Sequence, residues 1–186
     1  MNYLRVLCAF LAAGLALGCD QLHVSNPSVQ EAEAVLISIR SATSELRPAS
    51  APPSPLVETV CREGCFEETV SSVDGERVPH VVSRDPVLTI RVGELLSVEQ
   101  RQVERRSGGQ LYVVLLELSP EADAHLERIS NPLLTGVAYH AGSVVGSAPL
   151  VSVHRRLPLG YYADADSARA ALRIFPEALL RGPSLD

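Results

Sequence analysis

The sequence predicts a mixed α+β domain in which an antiparallel sheet carries two helices on one face, preceded by a signal peptide and a tether. Three observations predict it. Short runs rich in β-branched residues recur along the chain, bounded by glycine, proline or asparagine. Two segments of the second half carry helix-start signals. A long apolar run at the N-terminus is followed by a cysteine and then a polar stretch.

Residues 1–5 carry one arginine and the terminal amine, and residues 6–17 are an unbroken apolar run, short for a bilayer span and right for a secretory h-region. The run ends in Leu15-Ala16-Leu17-Gly18-Cys19, which resembles a bacterial lipobox, with Ala16 and Leu17 reversed from their usual order. A small residue beside the cut suits the peptidase, and a thioether to lipid requires the cysteine. Residues 1–18 are therefore expected to be removed and Cys19 to be the lipidated, membrane-anchoring residue. An ordinary cleaved signal and an uncleaved anchor are the alternatives. Each buried acyl methylene would contribute about 0.8 kcal/mol to anchoring. Residues 19–33 then read as a polar tether.

Of the four cysteines, Cys8 leaves with the signal and Cys19 takes the lipid, so Cys61 and Cys65 remain. In an oxidising compartment a local Cys61–Cys65 disulfide is the first reading, stabilising by about 2 kcal/mol through chain closure. A metal centre would need two further ligands at ligand spacing, and a redox centre usually has two intervening residues where this pair has three.

Residues 34–40 (AVLISIR) alternate and predict a strand. Residues 47–55 are proline-rich and predict no regular element, and residues 61–80 predict an irregular segment with a turn at Asp74-Gly75. Residues 87–91 form a short strand. Residues 94–106 fit an exposed helix by charge and a hairpin arm by the glycines at Gly108-Gly109. Residues 111–118 (LYVVLLEL) are the strongest strand, with both faces buried. Ser119 then caps a helix with Pro120 in its first position and Glu121 and Asp123 at the positive end of its dipole; Ala122, Leu126 and Ile129 share one face. Strands follow over residues 135–140 and 143–153, joined at Ala141-Gly142, and a second helix begins at Asp164, burying Ala168, Leu172 and Phe175. The order of strands and helices in this half is that of a split β-α-β, ferredoxin-like sheet.

Composition excludes several chemistries. The 16 basic residues are all arginine, and against 22 acidic residues they leave a net charge of −6. Without lysine there is no Schiff base and no phosphate-loop lysine, and the acidic balance argues against nucleic acid as a partner. Loss of Arg5 with the signal would leave 15 basic residues and a charge of −7. With aromatics at 4% and no tryptophan, a stacking platform is not expected. His23, His80, His125, His140 and His154 read as surface histidines without metal-ligand spacing. Glu121, Asp123 and His125 point in different directions on a helix. No nucleophile elbow, phosphate loop or dinucleotide fingerprint is present, so neither an enzyme, a cofactor nor a small-molecule substrate is expected.

Residues 85–181 carry an ordered set of landmarks: Pro86-Val87-Leu88-Thr89; Gly108-Gly109; Leu116-Glu117-Leu118-Ser119-Pro120-Glu121-Ala122; Gly136-Val137-Ala138-Tyr139; the Ala148-Pro149 strand; and Gly160 before Ala165-Asp166-Ser167-Ala168. This set resembles the head subdomain of the first periplasmic domain of SecD, a subunit of the bacterial translocase accessory complex SecDF. The chain departs from that family at Arg155-Arg156-Leu157, where the family has Gly-Gly, and it lacks the family's membrane helices. The resemblance implies a fold, a periplasmic compartment and a hairpin arm at residues 97–106, with residues 34–40 as a candidate first strand. It does not imply translocase activity. The domains expected are a signal (1–18), a tether (19–33), an N-terminal strand with the cysteine segment (34–84) and a SecD-like head (85–181). The expected function is a lipid-anchored, non-enzymatic module in the envelope that binds a protein or extended peptide, with a link to protein export as a narrower expectation. A purely structural envelope lipoprotein is the alternative.

Overall fold

Alternation along VLISIRSAT builds β1 (Val35–Thr43): Ile37 and Ile39 enter the main core, while Ser38, Arg40 and Ala42 face the other way. The structure, a computed structural model, describes residues 33–45, 52–71, 76–105 and 108–181. The expected signal, Cys19, His23, nearly all of the tether and the Asp74-Gly75 turn lie outside the described residues.

The described chain continues through α1 (Pro55–Val60), β2 (Cys65–Ser71), β3 (Arg77–Ser83), β4 (Leu88–Arg91), β5 (Leu95–Glu104), β6 (Gln110–Leu118), α2 (Pro120–Ile129), β7 (Asn131–His140), β8 (Ser143–Leu150), β9 (Arg156–Tyr162), α3 (Ala165–Leu172) and β10 (Leu180–Arg181). The strands divide into two sheets. One has the order β2-β3-β1-β7-β8, with β4 following β3 along the same edge of β1. The other has the order β10-β5-β6-β9.

The mixed α+β class is as expected, but the architecture differs from one sheet with two helices. β6 and β7 flank α2 and yet belong to different sheets, so no single-sheet β-α-β crossover forms there. The cause lies in the N-terminal half. β1 pairs antiparallel with β7 from Ser38↔Tyr139 to Ala42↔Thr135, and a hairpin of β2 and β3 extends the same sheet. The segment 61–80, expected to be irregular, thus contributes β2 and most of β3. A third helix, α1, stands at the end of the proline-rich stretch: Ser54 caps it by accepting from Val57 N, with Pro55 opening the first turn. Residues 95–104 form a hairpin arm on β6, not a helix.

The main core fills the space between the sheets with Ile37, Ile39 and Ile90 from the first and Leu116, Leu157 and Leu159 from the second. Leu126 of α2, Ala168 of α3 and Phe175 close it, so residues before and after 85 share one core. Each fully buried leucine or isoleucine contributes about 1.5–3 kcal/mol. The sheets meet where β8 crosses β9: a Cβ placed on Gly160 would lie 3.0 Å from the Gly146 Cα. The Tyr162 hydroxyl donates to Val145 O at 2.8 Å across this seam, and its burial pushes the phenol pKa up.

The first sheet is strongly coiled. Register shifts interrupt β1–β4 at Val35/Ile37 and β7–β8 at two places, and such bulges increase twist. Its outer strands β2 and β8 approach to within 8 Å between Cα atoms. The face turned away from the main core is therefore enclosed and holds a second cluster of Ala42, Val70, Val82 and Val137, against which Tyr139 packs.

The connection into β9 is a two-residue turn in which His154 (φ 52°) and Arg155 (φ 63°) both adopt positive φ, closed by Val153 N to Arg156 O at 2.9 Å and Arg156 N to Val153 O at 3.0 Å. Asparagine and glycine suit these positions; histidine and arginine are strained there. The double substitution His154→Asn/Arg155→Gly is expected to stabilise the domain by about 1–2 kcal/mol, less the entropy glycine adds to the unfolded chain. Urea unfolding would read this as a higher midpoint at constant slope, and an unchanged midpoint would mean that the turn stores no strain.

Candidate functional site

The enclosed face of the first sheet opens into a cleft of about 430 Å³ lined by Val35, Ser38, Arg40, Phe66, Glu68, Arg84, Tyr139 and the Ala141-Gly142 turn, among others. Arg40 comes from the middle of β1, Phe66 and Glu68 from β2, Tyr139 from the end of β7. Only the coiling brings β2 over β7. The Arg40 guanidinium carbon stands 5.4 Å from the Tyr139 ring centroid and 5.8 Å from that of Phe66, within cation–π range of both. Its Nη1 donates to Ser83 O at 3.2 Å. Among the described residues no carboxylate lies within ion-pair distance of Arg40 or Arg84.

The Tyr139 hydroxyl oxygen is buried and makes no hydrogen bond of good geometry. Burial first, and the neighbouring Glu68 carboxylate second, push the phenol up to about 12, against a smaller opposing effect of Arg40. Tyr139 is thus a neutral phenol throughout the physiological range. Phe66, at 38% exposure, presents apolar surface to the cleft, and Val35, at 58%, stands at its rim.

The outer face of the second sheet is chemically different. Glu99 receives Arg101 at 2.8 Å and Arg156 at 3.2 Å, and Glu117 receives Arg181 at 3.1 Å. The Ser97 hydroxyl donates to Glu117 at 2.8 Å, and this bond is the first cause holding the Glu117 carboxyl below its usual range. These ion pairs are spread over strands β5, β6, β9 and β10 of this sheet.

The residues singled out from sequence fall as follows. Cys61 and Cys65 form the expected disulfide, with Cα atoms 4.8 Å apart, at the junction of α1 and β2. His125 and His154 are exposed as expected. His80 is not a surface histidine: it is buried in β3 at 8% exposure, with Nδ1 3.0 Å from Val78 O. His140 is half-buried, with Nδ1 2.8 Å from Leu36 O. Glu121, Asp123 and His125 do not converge; Asp123 turns inward and accepts from Ser152 Oγ at 2.6 Å, which ties α2 to the stretch before the strained turn. Asp164 caps α3, accepting from Ser167 N at 2.7 Å, and Asp166 pairs with Arg169 at 2.7 Å. Among the described residues no three His, Cys, Asp or Glu side chains are grouped to hold a metal, and no helix is long and apolar enough to cross a membrane.

Arg40, Phe66, Glu68, Arg84 and Tyr139 were not marked as a site by the sequence. The one local signal is a charged residue at an interior position of an alternating strand, and nothing local ties it to Phe66 or Tyr139. Comparison with family models, curated proteins and solved structures finds no match for this chain.

Proposed function

We propose that this chain is an exported lipoprotein, anchored through Cys19, whose domain binds an extended peptide or a segment of a protein in the envelope without performing chemistry on it. The observation that supports binding over a purely structural role is the cleft: a half-buried arginine beside two aromatic rings, with no carboxylate at ion-pair distance among the described residues. A bracing protein gains nothing from a half-buried cation without a direct ion pair, which is costly to desolvate. The sheet edges are partly covered: β10 pairs with β5 at Val98 and Glu99, β9 runs against β8, and β2 and β8 approach each other. A role beside the protein-export machinery is the narrower form of this proposal, and it rests on the ordered resemblance of residues 85–181 to the SecD head.

Palmitate labelling tests the anchor. Label is expected in the wild-type chain and absent from Cys19→Ala, which would accumulate as an uncleaved or soluble species; label retained in the variant overturns the assignment. Binding of an extended-peptide library to the purified exported domain tests the rest. Absence of binding across the library at low salt would leave a structural envelope role in its place.

A further inference from the structure

We propose that the Arg40 cleft receives the C-terminal carboxylate of a peptide, with Arg40 and Arg84 as the cationic seat and Phe66 with Val35 as the apolar wall for the last side chain. This rests on the peptide-binding reading above and names the group that is recognised.

The starting point is charge. The chain is acidic, and the half-buried Arg101 and Arg156 both form ion pairs with Glu99. Arg40 is also half-buried, but among the described residues the hydrogen-bond acceptor it meets is the neutral carbonyl of Ser83. A guanidinium offers five N–H donors in a planar fork that matches a carboxylate bidentately. The rings of Phe66 and Tyr139 limit its movement, so little side-chain entropy is lost when a ligand binds. Arg84 lines the same cleft from the link between β3 and β4 and adds a second positive charge.

Glu68 decides between anions. Its carboxylate lies in the same cleft, next to the Tyr139 hydroxyl. It opposes a second negative charge on the ligand, which disfavours a phosphate dianion, and it offers an acceptor for the backbone N–H groups that precede a chain terminus. The volume, about 430 Å³, suits a small ligand or a chain end.

The test uses the whole exported domain and a fluorescein-labelled pentapeptide library, prepared with free C-terminal carboxylates and again with C-terminal amides. The free-carboxylate form is expected to bind about tenfold more tightly, with the difference removed by Arg40→Gln and reduced by Arg84→Gln, as loss of a charge-assisted hydrogen bond requires. Arg84 is exposed, so its variant keeps the test valid if Arg40→Gln lowers stability. Acetate is expected to displace the peptide at lower concentration than inorganic phosphate. Equal binding of acid and amide overturns carboxylate recognition and leaves the peptide-binding reading standing, whereas binding of neither form overturns both. Stronger displacement by phosphate than by acetate overturns the choice of carboxylate.

Discussion

Gly146→Ala is expected to destabilise the domain by about 3 kcal/mol, at the upper end for a single inserted methyl, because the new atom meets backbone. A Cβ on Gly146 would lie 2.5 Å from Leu159 O and 2.8 Å from the Tyr162 hydroxyl. The hydroxyl could be removed, but the Leu159 carbonyl belongs to β9 and can withdraw only if the two sheets part at their seam. Thermal unfolding should show the midpoint falling by roughly 6–12 °C, at 2–4 °C per kcal/mol for a domain of this size. Tyr162→Phe combined with Gly146→Ala should not restore it. Recovery in the double variant would mean that the tyrosine, and not the crossing of β8 over β9, sets the limit.

Leu126→Ala should cost a similar amount, about 3–4 kcal/mol, through lost burial and the cavity it leaves. Leu126 is fully buried at 0% exposure and carries the face of α2 into the space between the sheets. Leu133, a few residues on in β7, is 71% exposed, and Leu133→Ala should change stability by no more than about 0.5 kcal/mol. Urea unfolding of the two variants measures both. Equal effects would mean that α2 does not pack as described.

Both helices of the second half were legible because their signals are local. Ser119 with Pro120, and Asp164 with Ser167, act within one turn, and the structure shows the expected hydrogen bonds from Ala122 N and Ser167 N. Ser54-Pro55 is the same signal as Ser119-Pro120, but proline density around it read as a break, and α1 was missed. β2 and β3 were missed for a related reason. Pro79 interrupts the pattern of β3, and charged or polar residues fill CFEETVS, so neither run has the clean alternation of a half-buried strand. The enclosed second cluster shows why: with both faces of this hairpin partly covered, the period-two contrast is blurred.

His80 illustrates the same limit at one residue. A single histidine among valines carries no sign of exposure or burial; its strand lies between β1 and β2, and that position buries it. The cleft shows it at the scale of a site. Arg40, Phe66 and Tyr139 are separated by long stretches of chain and meet only because the sheet coils.

By itself the sequence determined the α+β class, the capped helices of the second half, the Cys61–Cys65 bridge and the absence of lysine chemistry. Each of these depends on residues within a few positions of one another. The tertiary structure alone decided that the strands form two sheets, that β1 joins β7, and that Arg40 stands between two rings with no carboxylate at ion-pair distance among the described residues. Alternation states that a strand has a buried face, but it does not state which partner covers it. That choice is made by the long-range pairing and twist of the whole chain.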